Sequence, residues 1–356
     1  MTMNQRVLIL RLDGIGDFVL FTGVLPHIRK VFPDAHITLA LNSEVAPLAE
    51  HCPHVDRILP IDPGRFRTDL GYAEEITGSV RNKFDIAINP VYTRRRVTDN
   101  IIARTRAERR IGFECHDNDG RLERRRKDQV LYTELLKTSQ EWMFELDRYA
   151  LLLNHFRVAP VDLKPQLWFQ PREKSRVLEL LRGKSLRERE FAIFCPGAGF
   201  STKLWSAQAF AQTADEISRR FHLMPVLIGS KADHEIVESI VVRMNERSVT
   251  WIGDLNLREF AAVTEMAGLY VGLDTAGFHL AWTAGIPTVG IFGGGHFGRF
   301  NPGLPHVRIA YVPLDCYHCY WHCIYDEVKC LTAVTPEMVI GQVEDLLRPP
   351  EKGGAK

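Results

Sequence analysis

Three short segments of this chain combine small residues with residues that carry charge or donate hydrogen bonds. The first is Arg11-Leu12-Asp13-Gly14-Ile15-Gly16-Asp17-Phe18. It follows a short apolar run and precedes a helical pattern. Its carboxylates therefore stand at the carboxyl end of a strand, where a side chain can face a cleft. The competing reading is structural: Asp17 caps the helix and the glycines make the turn. Gly14, Gly16 and Val19 do not give the G-x-G-x-x-G spacing, so no dinucleotide fingerprint is present here. The second segment is Cys195-Pro196-Gly197-Ala198-Gly199-Phe200-Ser201-Thr202-Lys203-Leu204-Trp205. Small residues let backbone N–H groups approach an anion, Ser201 and Thr202 add hydroxyls, and Lys203 adds a compact positive charge. This is a candidate phosphate cradle, although it lacks the Gly-Lys-Ser/Thr order of a Walker loop. The third is Asp274-Thr275-Ala276-Gly277-Phe278-His279. A helix beginning here offers backbone N–H groups at 275–277 to an anion. Asp274 in front of a phosphate would repel it, so its expected work is to hold the turn or accept a sugar hydroxyl. His279 is either a ligand group or a satisfied structural histidine.

The elements that must position these segments alternate between short apolar runs and amphipathic stretches. In the first half, residues 7–12, 37–41, 57–61 and 84–89 read as strands, and 18–32 as a helix. A further helix is expected over roughly 139–156. The stretch 158–171 holds Pro160, Pro165 and Pro171 and reads as a linker. The pattern then restarts, with strands over 191–195, 224–229, 250–252, 269–273 and 288–292. Helices are expected over 207–221, 232–244, 257–267 and 275–284. Such alternation argues for parallel sheets covered by helices on both faces. The fold class expected is α/β, with two doubly wound Rossmann-like domains facing across a cleft. The expected boundaries are 1–160, 161–334, and a C-terminal helix and tail over 335–356 that packs back on the N-terminal domain.

Composition sets the outer bounds. The chain has 356 residues, 45% hydrophobic and 25% charged, enough for two domains with real cores. Lys and Arg number 45 against 44 Asp and Glu, a net charge of +1, which argues against a uniformly basic nucleic-acid coat. No stretch reaches the roughly 18 apolar residues of a membrane span, and the first apolar run is too short for a secretory signal. The expected location is the cytoplasm, at the inner face of the inner membrane if the acceptor is a lipid.

Taken together, RLDGIGDFVLFTGVLPHIRKVFP, the PGAG…STKLW segment and DTAGFHLAWTAGIPTVGIFG resemble glycosyltransferase family nine, the heptosyltransferases. The resemblance runs in order through nearly the whole chain. It implies a GT-B fold, with the acceptor on the N-terminal domain and a nucleotide-sugar on the C-terminal one. It also implies inverting transfer of heptose from ADP-heptose, typically to lipopolysaccharide core. On this match Asp17 is the general base, with Asp13 ranked second and placed on the acceptor side. Lys203, with Ser201 and Thr202, falls on the family's phosphate-binding positions, next to Gly197. The family's Asp-Thr/Ser-Gly turn falls on Asp274, Thr275 and Ala276. Here the sequence departs, because the usual Gly is Ala276 and Gly277 follows it. The acidic residue that holds the ribose falls on Asp233 or Glu235. These residue types suit the chemistry: a carboxylate takes the acceptor proton, and positive charge with N–H dipoles receives the leaving diphosphate. No Asp-x-Asp metal motif stands near these elements, and no catalytic cofactor is expected.

Two segments remain. Residues 94–127 hold twelve basic and six acidic residues, a local +6 that leaves −5 for the rest of the chain. Solvated helix faces are the ordinary explanation. In an acceptor domain the sharper expectation is a site for an anionic glycolipid near a membrane surface, with Arg94, Arg95 and Arg96 as its contacts. No nucleic-acid partner is expected, because aromatic residues are sparse there. Cys316, Cys319, Cys323 and Cys330 place four thiols in fifteen residues. In a reduced compartment this reads as a structural zinc or iron site, against reduced thiols or local disulfides. The resemblance extends to autotransporter heptosyltransferases, which bind iron through four cysteines. The alternatives are a family-nine enzyme with another nucleotide sugar or a protein acceptor, or a nucleotide-sugar-binding protein without catalysis.

Overall fold

The structure is a computed structural model that describes residues 5–114, 129–138 and 142–348. The chain parts into two compact units between Trp168 and Phe169.

The first unit is built on six parallel strands, β1 (Arg6–Arg11), β2 (His36–Asn42), β3 (Arg57–Ile61), β4 (Ile86–Asn89), β5 (Arg109–Phe113) and β6 (Glu134–Leu136), in the order β3-β2-β1-β4-β5-β6. Val7, Leu8, Ile9 and Leu10 of the central β1 are fully buried, as a parallel strand covered on both faces requires. The strand order reverses between β1 and β4, so the loop after β1 lies at the switch point where such sheets bind ligands. The expected single helix over 18–32 is two helices, Ile15–Thr22 and Leu25–Val31. The second carries Pro26 in its first turn, where the missing N–H costs nothing. β5 and β6 escape the sequence pattern because their polar residues serve each other. Arg109 grips Glu134 with two bonds of 2.7 and 2.9 Å, and the Arg110 side chain donates to the Leu131 carbonyl at 2.6 Å. The helix Glu145–His155 covers part of the expected 139–156 helix.

The boundary falls after 160 because the residues read as linker are tied to the first unit. Leu163 is buried, and the Gln166 N–H donates to Thr22 Oγ1 at 2.8 Å. Pro171 starts the helix Pro171–Gly183, with Gln170 and Glu173 forming a capping box. The same Glu173 accepts from Arg258 Nη2 at 2.8 Å, docking this helix on Leu257–Met266.

The second unit repeats the plan with β7 (Phe191–Cys195), β8 (Met224–Gly229), β9 (Val249–Ile252), β10 (Leu269–Leu273), β11 (Thr288–Ile291) and β12 (Val307–Ala310). Their order is β12-β11-β10-β7-β8-β9, so the switch point lies between β7 and β10. The helix Pro336–Leu347 is capped by Thr335 and sets Val339, Ile340 and Val343 into the core around Phe210 and Val289. Its apolar face is thus used within the second unit. Among the described residues, no helix is long and apolar enough to cross a membrane.

Candidate functional site

In the second unit, β10, β7 and β8 are neighbours, so the three loops at their carboxyl ends lie side by side. The loop after β7 closes in a 3₁₀ turn, Ser201–Lys203, and Trp205 anchors it. Trp205 is buried and its Nε1–H donates to the Val334 carbonyl at 2.9 Å. Lys203 reaches across to the loop after β10. Its Nζ donates to the Asp274 carbonyl at 3.1 Å and faces Asp274 Oδ2 at 3.4 Å. An ammonium has three N–H donors, so the third can serve a ligand oxygen.

Asp274 is buried, and Thr275, not Asp274, is the N-cap of the helix Ala276–Thr283. The other oxygen of Asp274 faces His279 Nε2 at 3.9 Å. His279 is buried and accepts the Trp282 indole N–H on Nδ1 at 3.3 Å, which assigns its proton to Nε2. His279 therefore sits inside the unit as a neighbour of Asp274. Lys203 neutralises the acid, so Asp274 does not leave a bare negative charge in front of an anion. Gly277 fits where a side chain does not: a Cβ there would lie 2.6 Å from Tyr270 Oη and 3.1 Å from Cys195 Sγ. The close approach falls on Gly277, and half-buried Ala276 takes the position before it. Burial pushes the Cys195 thiol up to about 12, so it is packing, not a nucleophile.

Gly197 and Asp233 also meet. A Cβ on Gly197 would fall 2.2 Å from Asp233 Oδ1, so the Asp233 carboxylate lies flat against the β7 loop. Its Oδ2 accepts from both the N–H and the hydroxyl of Ser230 at 2.7 Å. Glu235 is exposed on the first turn of the helix His234–Val241. Of the donor-side residues read from the sequence, the fold gathers Lys203, Asp274, Thr275, Ala276 and Gly277 on one side, and Gly197 with Asp233 on the other. Ser201 is exposed, and Thr202 turns toward the cysteine segment.

In the first unit, the helix Ile15–Thr22 is capped by Gly14 with no side-chain cap bond, so Asp17 is not spent on capping. Gly14 has an ordinary extended backbone at φ −79°, so its turn does not depend on a left-handed conformation. Asp17 lies half-buried in the first helical turn, where the helix dipole favours a carboxylate. Beneath this turn lies a group that the motif itself does not announce. Arg11 is buried and donates to Asp13 Oδ1 and Oδ2 at 3.0 and 2.6 Å, to Tyr149 Oη at 2.7 Å and to the Asp17 carbonyl at 3.0 Å. Its guanidinium also packs on the rings of Phe21 and Tyr149. The available signal was an arginine closing an otherwise apolar buried strand. Burial pushes the Asp13 carboxyl up to about 6, against the pull of Arg11.

The basic segment divides. Arg94 is buried in an ion pair with Asp99 at 3.1 Å and packs over the Tyr132 ring, whose hydroxyl donates to the same Asp99 oxygen at 2.5 Å. Arg94 is therefore part of the core and not an acceptor contact. Arg95 and Arg96 are exposed at the start of the helix Arg96–Thr105. Arg121, Arg124, Arg125, Arg126 and Lys127 lie outside the described residues. Arg94→Ala strips a partner from a buried carboxylate and is expected to cost about 3–5 kcal/mol in chemical denaturation. Arg95→Glu and Arg96→Glu are expected to stay within about 0.5 kcal/mol of the parent in the same measurement.

Cys316, Cys319, Cys323 and Cys330 are free thiols that line one cavity of about 10 Å³, together with Thr202 and Trp321. Burial pushes the Cys330 thiol up, and the three neighbouring sulfurs add to it. The space suits one ion or one water. Among the described residues, however, no three His, Cys, Asp or Glu side chains are arranged to hold a metal ion. The thiols ring a void; they do not form a coordination shell.

A model of the family "Glycosyltransferase family 9 (heptosyltransferase)" matches residues 81–328. Lipopolysaccharide heptosyltransferase 2 of Salmonella typhimurium is 24% identical, over 96% of this chain and 99% of its own. Among solved structures, a glycosyl transferase family 9 protein from Veillonella parvula aligns with TM-score 0.78 at 20% identity, covering 97% of this chain and 98% of its own. The ADP-heptose lps heptosyltransferase II of E. coli aligns with TM-score 0.69 at 21% identity, covering 96% and 98%. The iron-containing heptosyltransferase TibC aligns with TM-score 0.56 at 13% identity, covering 99% and 79%. At these identities the structures speak for the fold alone.

Proposed function

Because the chain belongs to glycosyltransferase family 9, the heptosyltransferases, we propose that it moves a heptose from ADP-heptose to the core of lipopolysaccharide, with inversion at the anomeric carbon. The observation that carries this reading is the anion site after β7 and β10. There Lys203, anchored on Asp274, stands with the start of the helix Ala276–Thr283. A leaving diphosphate needs fixed positive charge and N–H dipoles, and this site supplies both. Asp233, against Gly197, takes the place of the ribose acceptor in preference to exposed Glu235.

On this reading the Asp17 carboxylate removes the proton from the acceptor hydroxyl as that oxygen bonds to the anomeric carbon. The bond from that carbon to the diphosphate breaks, and ADP leaves with the electron pair. Arg11 holds the Asp13 carboxylate and the Asp17 carbonyl, and so fixes the turn from which Asp17 acts. Arg95 and Arg96 serve an anionic acceptor. The test is thermal stabilisation by a panel of nucleotides. ADP is expected to raise Tm more than UDP or GDP. Preference for UDP or GDP would point to another nucleotide sugar and overturn the heptose reading.

The four thiols are read as a structural site for zinc or iron. A soft thiolate donor set supports it, as does the likeness in fold to an iron-containing heptosyltransferase, and binding would have to draw the thiols inward from the positions they hold around the cavity. The metal would lock the segment and take no part in transfer. Protein purified without chelators is expected to carry about one zinc or iron per chain, and its removal to lower Tm. Absence of stoichiometric metal would end this reading.

A further inference from the structure

The segment that carries the four cysteines also touches Lys203. The Lys203 ammonium lies 4.6 Å from the centre of the Trp321 ring. Trp321 stands between Cys319 and Cys323, far in sequence from the β7 loop. Its indole is laid flat on backbone that has no side chains. A Cβ on Gly293 would fall 2.9 Å from the ring, and one on Gly295 2.3 Å from it. The indole N–H points to His296 Nδ1 at 3.4 Å. The backbone that presents the ring is itself strained: His318, Tyr320 and Trp321 all have positive φ, at 69°, 52° and 65°. Bulky residues adopt that conformation only when the surroundings hold them there. Bonds from the His318 N–H to the Gly294 carbonyl (2.7 Å) and from the Tyr320 N–H to the Gly295 carbonyl (3.1 Å) do so. Thr202, next to Lys203, lines the thiol cavity, so the two segments meet at two points.

We propose that Trp321 is a positioning residue for the donor site: its ring face holds the Lys203 ammonium where it meets the diphosphate, and the four-thiol segment is the frame that holds the ring. The inference rests on the reading of Lys203 as a diphosphate contact. A lysine ammonium is a point charge on a long flexible stem. Asp274 draws it to one side, and the ring face supplies the attraction that limits the remaining freedom. On this proposal the ring acts on Lys203 and not on the nucleotide itself.

The test is a double-mutant cycle on ADP binding, read by calorimetry on the full chain. Trp321→Leu is expected to weaken ADP binding by about 3- to 30-fold. Trp321→Phe, which keeps a ring face, is expected to recover most of that loss. In the Lys203→Ala background, Trp321→Leu is expected to add little, because the group it positions is gone. Gly295→Ala, which displaces the ring without removing it, should reproduce the loss and covers the case in which Trp321→Leu does not fold. Equal losses from Trp321→Leu with and without Lys203 would overturn the proposal, as would unchanged binding in folded Trp321→Leu. If the parent chain itself binds no ADP, the diphosphate reading of Lys203 falls, and the proposal with it.

Discussion

Asp17→Asn is expected to lower kcat by about 10²–10⁴-fold while the affinity for ADP stays within about twofold of the parent. The substitution keeps size and shape and removes only the basic oxygen. The structure explains why the fold should tolerate it. Gly14 caps the helix, Asp17 makes no side-chain cap bond, and Arg11 grips the Asp17 backbone carbonyl, not its carboxylate. Neither the cap nor the turn therefore depends on the charge. Donor contacts proposed here belong to the second unit, so nucleotide binding has no reason to change. Steady-state kinetics with saturating donor, beside calorimetric titration of ADP, separate the two. Near-normal turnover by Asp17→Asn would show that another group takes the proton. Asp13 would be the next candidate, since burial already holds its carboxyl near 6.

Lys203→Ala is the second large effect, an expected loss of about 10²–10³-fold in kcat/KM. Its character differs from that of Asp17→Asn. Lys203 meets the donor both before and during departure of the diphosphate, so donor KM should rise and kcat should fall together. The substitution also strips a partner from Asp274, whose side chain is only 10% exposed. That places a negative charge in front of the incoming anion and adds to the loss. Lys203→Arg should recover only part of it, because a planar guanidinium does not sit on Asp274 and under Trp321 as a compact ammonium does. A change confined to the acceptor KM would contradict the assignment.

Much of this was legible in the residues. The second unit was the clearer half. The apolar runs of β7, β8 and β10 and the amphipathic helix Ala207–Phe221 have the bounds that periodicity predicts. Their buried faces leave one arrangement open, and the motifs sit in the loops that follow. The first unit was harder where polar residues serve the fold. Arg109 and Arg110 read as surface charge, yet they tie β5 to the segment that ends in β6. Arg94 read as an acceptor contact, yet it closes on Asp99 beneath Tyr132. Charge in sequence does not say which arginine the fold ties down; only the partner, five residues away for Asp99 and 25 for Glu134, decides it. Pro171 misled in the opposite direction. A proline after two others reads as linker, but at the first position of a capped helix it is at home. The contact between Lys203 and Trp321 joins positions more than a hundred residues apart, and no local pattern announces it.

Transfer of heptose from ADP-heptose is decided by analysis of the products. Full-length protein would be incubated with ADP-heptose and a lipopolysaccharide core acceptor lacking its outer heptose. Mass spectrometry of the acceptor and chromatography of the nucleotide would be read together. The expected result is one heptose added per acceptor, an equal amount of ADP released, and neither product with Asp17→Asn. Release of ADP without any gain in acceptor mass, or transfer only from a UDP- or GDP-sugar, would contradict it.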